Sequence, residues 1–232
     1  MGWPDRAIAG IGATQRALIT RAQLTGLGLG PSAIEHALRR GRLHRMHQGL
    51  YSMVRFPALP DLAIELAAVL ACGDSALLSH HSAAAVWGLR PSFTGDVHVT
   101  VIGKETGRRR PGIRLHRTEA LDPRDIRRYE NIAITSPARA LLDIAPDLSD
   151  RALERALDEA LIRRLVTHAA IAAVVNAYAS RRGAARLRAL ADPGRPTTET
   201  RSGGEEVLLA LLRKGDVPVP EVNARVGNYT AD

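Results

Sequence analysis

The residues best suited to chemistry lie near the N-terminus, in SAIEHALRRGRLHRMHQGLYSM. A helix turns about 100° per residue, so Ile34 and Leu38 share one face, with Ala37 beside them. His36, Arg39 and Arg40 project from the other side, flanked by Ala33. Guanidinium groups present a rigid fork of donors that fits phosphate oxygens and guanine edges. A short helix with one apolar stripe and one cationic face meets the needs of a recognition helix in a DNA major groove. Ser32, at the expected helix start, would help to hold a phosphate there. Arg42, Arg45, His47 and Gln48 follow, and would touch backbone or minor groove. The plainer alternative is a small helical bundle with a solvated basic face.

Other chemistry is thinly represented. The sequence holds no P-loop, no HExxH and no GxSxG. Gly26, Gly28 and Gly30 fail the dinucleotide fingerprint, because no strand is expected before them and their spacing is wrong. Cys72 is the single cysteine, so neither an internal disulfide nor a cysteine-based zinc site can form within one chain. His80 and His81 are adjacent, and on a helix they diverge by about 100°, which favours cap or core roles over shared metal ligation. The sequence therefore leads us to expect no metal and no cofactor.

These side chains need elements to carry them. The expected fold is α+β, mostly helical: an N-terminal winged helix-turn-helix over 1–55, an α/β middle domain over 56–192, a Pro/Thr-rich linker over 193–201 and a further segment over 202–232. In the first block, a helix is expected from Asp5 to Leu18. A second, from Arg21 to Leu27, has Thr20 and Gln23 in a capping box. A third runs from Ala33 to Arg40 with Ser32 and Glu35 as another such box, and Gly41 ends it. A two-stranded wing turns at Gln48-Gly49. In the second block, helices are expected over Asp61–Cys72 and Ser79–Leu89, and strands over Val97–Ile102, Ile113–His116 and Ile132–Ile134. A helix is capped by Ser136 with Pro137 at its first position, and two or three more follow from Leu148 to Ala191. Leu153, Leu157, Leu161 and Leu165 read as a core stripe.

Charge supports the reading of the first block. The chain carries a formal +8, and residues 1–55 contribute +6 of it, from eight arginines against Asp5 and Glu35. Arginine-rich codon usage would spread charge more evenly. A local excess of this kind is an electrostatic footprint for a polyanion. A second cluster, Lys104 to Arg128, holds nine Lys and Arg residues against four acids, with Arg108, Arg109 and Arg110 expected in a loop. The longest apolar run, Leu62 to Cys72, contains Glu65 and is too short to span a bilayer. No membrane partner and a cytoplasmic location are expected.

ITRAQL followed by AIEHALRRGRLHRMHQGLYSM resembles the N-terminal winged helix of AbiEi-type antitoxins of type IV toxin–antitoxin and phage-defence systems. LSHHSAAAVWGL, VHVTV and AITSPARALLDIA resemble the middle domain that follows in that family, so the similarity spans about residues 5–190. The resemblance implies a transcriptional autorepressor with double-stranded DNA as partner, a cognate nucleotidyltransferase toxin as a second partner and a possible homodimer. Residues 202–232 resemble the opening of a Vsr-like endonuclease domain, matched at Ser202, Glu205, Pro220, Asn223 and Asp232. Metal-dependent phosphodiester hydrolysis of that type needs carboxylates for Mg²⁺ and usually a lysine. No Asp/Glu-x-Lys occurs here, and the chain stops at Asp232, where the catalytic strand would begin. Glu205 and Asp232 are at most remnants of a site, Ser202 and Glu205 also fit a capping box, and a catalytically dead fragment or decayed gene is expected. Three functions follow in order: a DNA-binding regulator, a nuclease subunit lacking its catalytic half, and a toxin-binding protein–protein module.

Overall fold

The structure is a computed structural model of the 232-residue chain that describes residues 3–91, 95–103 and 110–192, with the backbone of 225–226 and 229–230. The fold is α+β. Residues 1–191 make one compact unit and 192–232 a second. In the second unit, the described residues beyond Asp192 are two short antiparallel strands, Arg225–Val226 and Tyr229–Thr230. Ser202, Glu205, Pro220, Asn223 and Asp232 lie outside the described residues, as do the expected linker over 193–201 and, those two strands apart, the rest of the expected endonuclease-like segment.

The N-terminal part runs α1 (Asp5–Thr14), β1 (Leu18–Thr20), α2 (Arg21–Gly26), α3 (Pro31–Arg39), β2 (His44–His47) and β3 (Leu50–Ser52). This is the order of a winged helix-turn-helix. The first helix ends four residues before the expected Leu18. Arg16 and Ala17 take left-handed backbone (φ 53° and 61°), which no α-helix continues, and Leu18 and Ile19 are fully buried in a strand. That strand makes the wing sheet three-stranded, ordered β1-β3-β2, where two strands were expected. Gln48 and Gly49 form the wing turn, with Gly49 at φ +77°, a conformation that glycine adopts freely.

The Thr20 capping box forms as expected. Its hydroxyl accepts from the Gln23 backbone N–H at 3.2 Å, and the Gln23 side chain accepts from the Thr20 N–H at 2.9 Å. Gln23 also exchanges two hydrogen bonds with Gln15, of 2.8 and 3.1 Å, which ties α2 to the end of α1. Thr20→Ala is expected to lower stability by about 1 kcal/mol in urea denaturation, and an unchanged midpoint would show that the cap carries no stability.

The middle part runs α4 (Ala63–Cys72), β4 (Ala76–Leu78), α5 (His80–Val86), β5 (Val97–Ile102), β6 (Ile113–Thr118), β7 (Ile126–Tyr129), β8 (Ile132–Thr135), α6 (Pro137–Ile144), α7 (Asp150–Ile162), α8 (His168–Ala177) and α9 (Ala184–Leu190). Five strands form a mixed sheet in the order β6-β5-β4-β8-β7. Short β4 and β7 have no counterpart in the sequence reading. β4 lies at the centre, antiparallel to β5 and parallel to β8. The Ser136 hydroxyl caps α6 by accepting from the Arg139 N–H at 3.2 Å, with Pro137 in the first turn, as expected.

The expected division near residue 55 is not a break in packing. Leu18 and Leu50 of the winged part join Leu66, Ala67 and Val69 of α4 and Val99, Val101, Ile132 and Ile134 of the sheet in one apolar cluster. Arg16 adds a polar tie: its guanidinium donates to the Asp61 carbonyl at 2.7 Å and pairs with the Glu130 carboxylate. A second cluster joins α6 to α9, and Leu153 and Leu157 are fully buried there with Leu161 and Leu165 packed against them. A third cluster, of Ile8, Ile19, Leu24, Leu29, Ile34, Ala37, Leu43 and Tyr51, is the core of the winged part itself. Among the described residues, no helix is long and apolar enough to cross a membrane.

Candidate nucleic-acid interface

The third helix starts earlier than its sequence suggested. Gly30 is the N-cap, Pro31 opens the first turn and no side chain caps the helix. Proline has no N–H to leave unsatisfied there, and its fixed φ is already helical. Ser32 therefore lies inside the first turn and is exposed, so the expected Ser32–Glu35 capping box does not form. Its position still places its hydroxyl among the free N–H groups of the helix start, where an anion is favoured.

The two faces of α3 separate as the periodicity predicted. Ile34 and Ala37 are buried, with Ala33 and Leu38 packed against the same cluster. His36, Arg39 and Arg40 are exposed. Arg42, Arg45 and Gln48 are exposed as well, and His47 is half-buried. Burial, and secondarily the charge of Arg110, hold the His47 imidazole below its ordinary range. Arg45 reaches the exposed Glu35 carboxylate at 3.8 Å and stands over the Tyr51 ring at 5.9 Å, so it bridges wing and helix. A contact that long between exposed groups contributes little to stability.

Trp3, Arg55 and Arg21 also stand beside this face and were not singled out from the sequence. The Arg42 guanidinium stands 5.8 Å over the Trp3 ring. Trp3, Ala33, His36, Ala37, Arg40 and Arg42 are among the residues that line a cleft of about 450 Å³ beside the helix. Arg55 places its Nη2 within 3.5 Å of the point where a Cβ on Gly41 would stand, at the turn that ends the helix. The Arg21 N–H donates to the Gly49 carbonyl at 2.7 Å and holds the wing tip. Trp3 and Arg55 lie far from α3 along the chain and come to it only through the packing of α1 and the hairpin. No local pattern could have indicated them.

A separate polar group lies in the middle part. His80, at the start of α5, meets His98 of β5 and His116 of β6, not its neighbour His81. His81 turns to Asp147 at 2.9 Å and to Arg90. Neither histidine caps α5 with a side-chain hydrogen bond: His80 is its first residue, with Nδ1 3.0 Å from the Ser79 hydroxyl, and His81 is buried, which is the core role expected. Burial is the main cause that lowers the pKa values of His80, His98 and His116, to about 2, 3 and 4. Mutual repulsion with nearby imidazoles and arginines adds to it.

No family model and no curated protein matches the chain. Among solved structures, the chain is similar to the RV2827C protein from Mycobacterium tuberculosis, at 19% identity and a TM-score of 0.40, over 82% of this chain and 80% of that one.

Proposed function

We propose that this protein is a sequence-specific DNA-binding transcriptional regulator, of the kind that AbiEi-type antitoxins are. One observation carries the reading: α3 buries Ile34 and Ala37 while it turns His36, Arg39 and Arg40 to solvent, beside the exposed Arg42 and Arg45 of the wing. In this reading α3 enters the major groove, where Arg39 and Arg40 pair with guanine edges or brace phosphates. The wing, with Arg42, Arg45, His47 and Gln48, follows the backbone or minor groove. Ser32 and the helix start receive a phosphate. The resemblance across residues 5–190 supports autorepression of its own operon, with a toxin as the protein partner.

Fluorescence anisotropy with a duplex from upstream of its own gene tests the reading. Specific binding is expected to exceed binding to a scrambled duplex by at least ~10³-fold at fixed salt. The logarithm of affinity should fall linearly with the logarithm of salt concentration, with a slope set by the number of phosphates contacted. Equal affinity for both duplexes would reject the regulator.

A further inference from the structure

We infer that His80, His98 and His116 form a binding site for one zinc-class divalent metal ion, held by three imidazole nitrogens. Their ligand atoms all lie within 4.8 Å of one another. His98 Nδ1 and His116 Nε2 are 3.2 Å apart and share a hydrogen bond, whose proton would have to move to the far nitrogen of its ring for both to ligate. With Zn–N bonds of about 2.0–2.1 Å, tetrahedral ligands stand about 3.3–3.4 Å apart, so this pair already has the spacing of one edge of the polyhedron. The His80 ring stacks on His116 with centroids 3.5 Å apart and planes within 11°. Parallel rings aim their nitrogen lone pairs side by side, so binding needs the His80 ring to tilt out of this stack, by little enough that Nδ1 stays beside the Ser79 hydroxyl.

The fold assembles this group from three elements. β5 and β6 pair in parallel with His98 opposite Arg114 and Thr100 opposite His116, which puts His98 and His116 diagonally on one face. His80 arrives from the first position of α5 with left-handed backbone, φ 49°. A non-glycine residue held there costs of order 1 kcal/mol or more, and such strain persists where a side chain must be aimed.

The surroundings of His80 select the nitrogen that would bind. Thr100 donates to the Ser79 hydroxyl at 2.8 Å, and His80 Nδ1 lies 3.0 Å from that same oxygen. Asp143 Oδ2, buried and with no hydrogen-bond partner among the described residues, is 3.9 Å from His80 Nδ1. Nδ1 thus faces a hydroxyl and a carboxylate, which leaves Nε2 for the metal. A carboxylate behind the far nitrogen of a ligating histidine is the usual outer support of such sites. Arg114, Arg139 and Arg181 oppose a dication here, and Asp143 and Asp147 offset them. Three nitrogens with no thiolate favour zinc-class ions over Mg²⁺ or Ca²⁺, and they leave a fourth position for water.

The full chain, stripped with a chelator, would be titrated with Zn²⁺ against a chromophoric competitor and, separately, with Co²⁺ by visible absorption. One ion per chain is expected, with the intense d–d bands of tetrahedral Co²⁺. Zn²⁺ at 100 times its Kd should raise the Tm by about 5–10 °C. His116→Gln, at a half-buried edge-strand position, should weaken binding at least ~100-fold while circular dichroism shows it folded. His116→Cys should restore binding and shift the Co²⁺ spectrum towards thiolate charge transfer. Uptake by His116→Gln or by His98→Ala equal to that of the unmodified chain would assign the metal to surface histidines and overturn the site, as would the absence of stoichiometric uptake.

Discussion

Reversing both arginines at the end of α3, Arg39→Glu with Arg40→Glu, is expected to weaken binding to the upstream duplex by ~10²–10⁴-fold. The estimate rests on two lost charge-assisted contacts at about 1.5–3 kcal/mol each, before the repulsion of two new carboxylates is counted. The fold should survive. Both side chains are exposed, and neither meets a carboxylate within 4 Å among the described residues. The stability cost should stay below about 1 kcal/mol, most of it from negative charge near a helix C-terminus. Single alanine variants then separate two roles. Loss of a base contact should relax sequence preference at one position, whereas loss of a phosphate contact should weaken all duplexes alike and reduce the salt slope by about 1. Wild-type affinity in the doubly reversed protein would show that the cationic face of α3 does not meet DNA, and would favour a protein-binding role for the chain.

The second large effect concerns stability. Arg139 is almost completely buried, within α6, all eight residues of which are buried. Its Nε donates to Asp143 Oδ1 at 2.9 Å, and Arg181 Nη1 donates to the same oxygen at 3.1 Å. Its guanidinium stands 4.3 Å from the centre of the Tyr178 ring, and its Nη1 lies 3.9 Å from Asp125 Oδ2. Arg139→Met removes the buried cation, leaves Asp143 with Arg181 as its remaining guanidinium partner and leaves the buried Asp125 carboxylate facing the gap. Stripping one partner from a buried pair typically costs about 3–5 kcal/mol, because the other charge stays desolvated. For a chain of this size that corresponds to a fall in Tm of roughly 6–20 °C. Arg139→Met with Asp143→Leu should recover part of the loss, since a well-packed apolar pair avoids the desolvation cost. A loss below about 1 kcal/mol in Arg139→Met would mean that water or local rearrangement satisfies the carboxylates. DNA affinity per folded molecule should not change, because this cluster lies in the middle part and α3 in the winged part.

Much of the fold was legible because its signals are local. Thr20 and Gln23, Ser136 and Pro137, and Gln48-Gly49 act within three or four residues, so caps and turns follow from adjacent chemistry. The amphipathic split of α3 is equally local, since Ile34 and Ala37 need only the helical period to separate from His36, Arg39 and Arg40. The Ser32 cap failed for a local reason as well: Gly30 and Pro31 start the helix two residues earlier, and the proline signal outweighs the hydroxyl.

What the residue pattern alone determined is which segments coil, where they are capped and which faces are cationic, because those properties depend on neighbours within one or two turns. Only the folded chain decided that Leu18–Thr20 and Ala76–Leu78 would be strands, that Arg139 would be enclosed by acids, and that three histidines from separate elements would meet. Short strands acquire their identity from partners across the sheet, and buried polar groups acquire theirs from residues tens of positions away. Those pairings are selected by the burial of the whole core, a quantity that no short window of sequence contains.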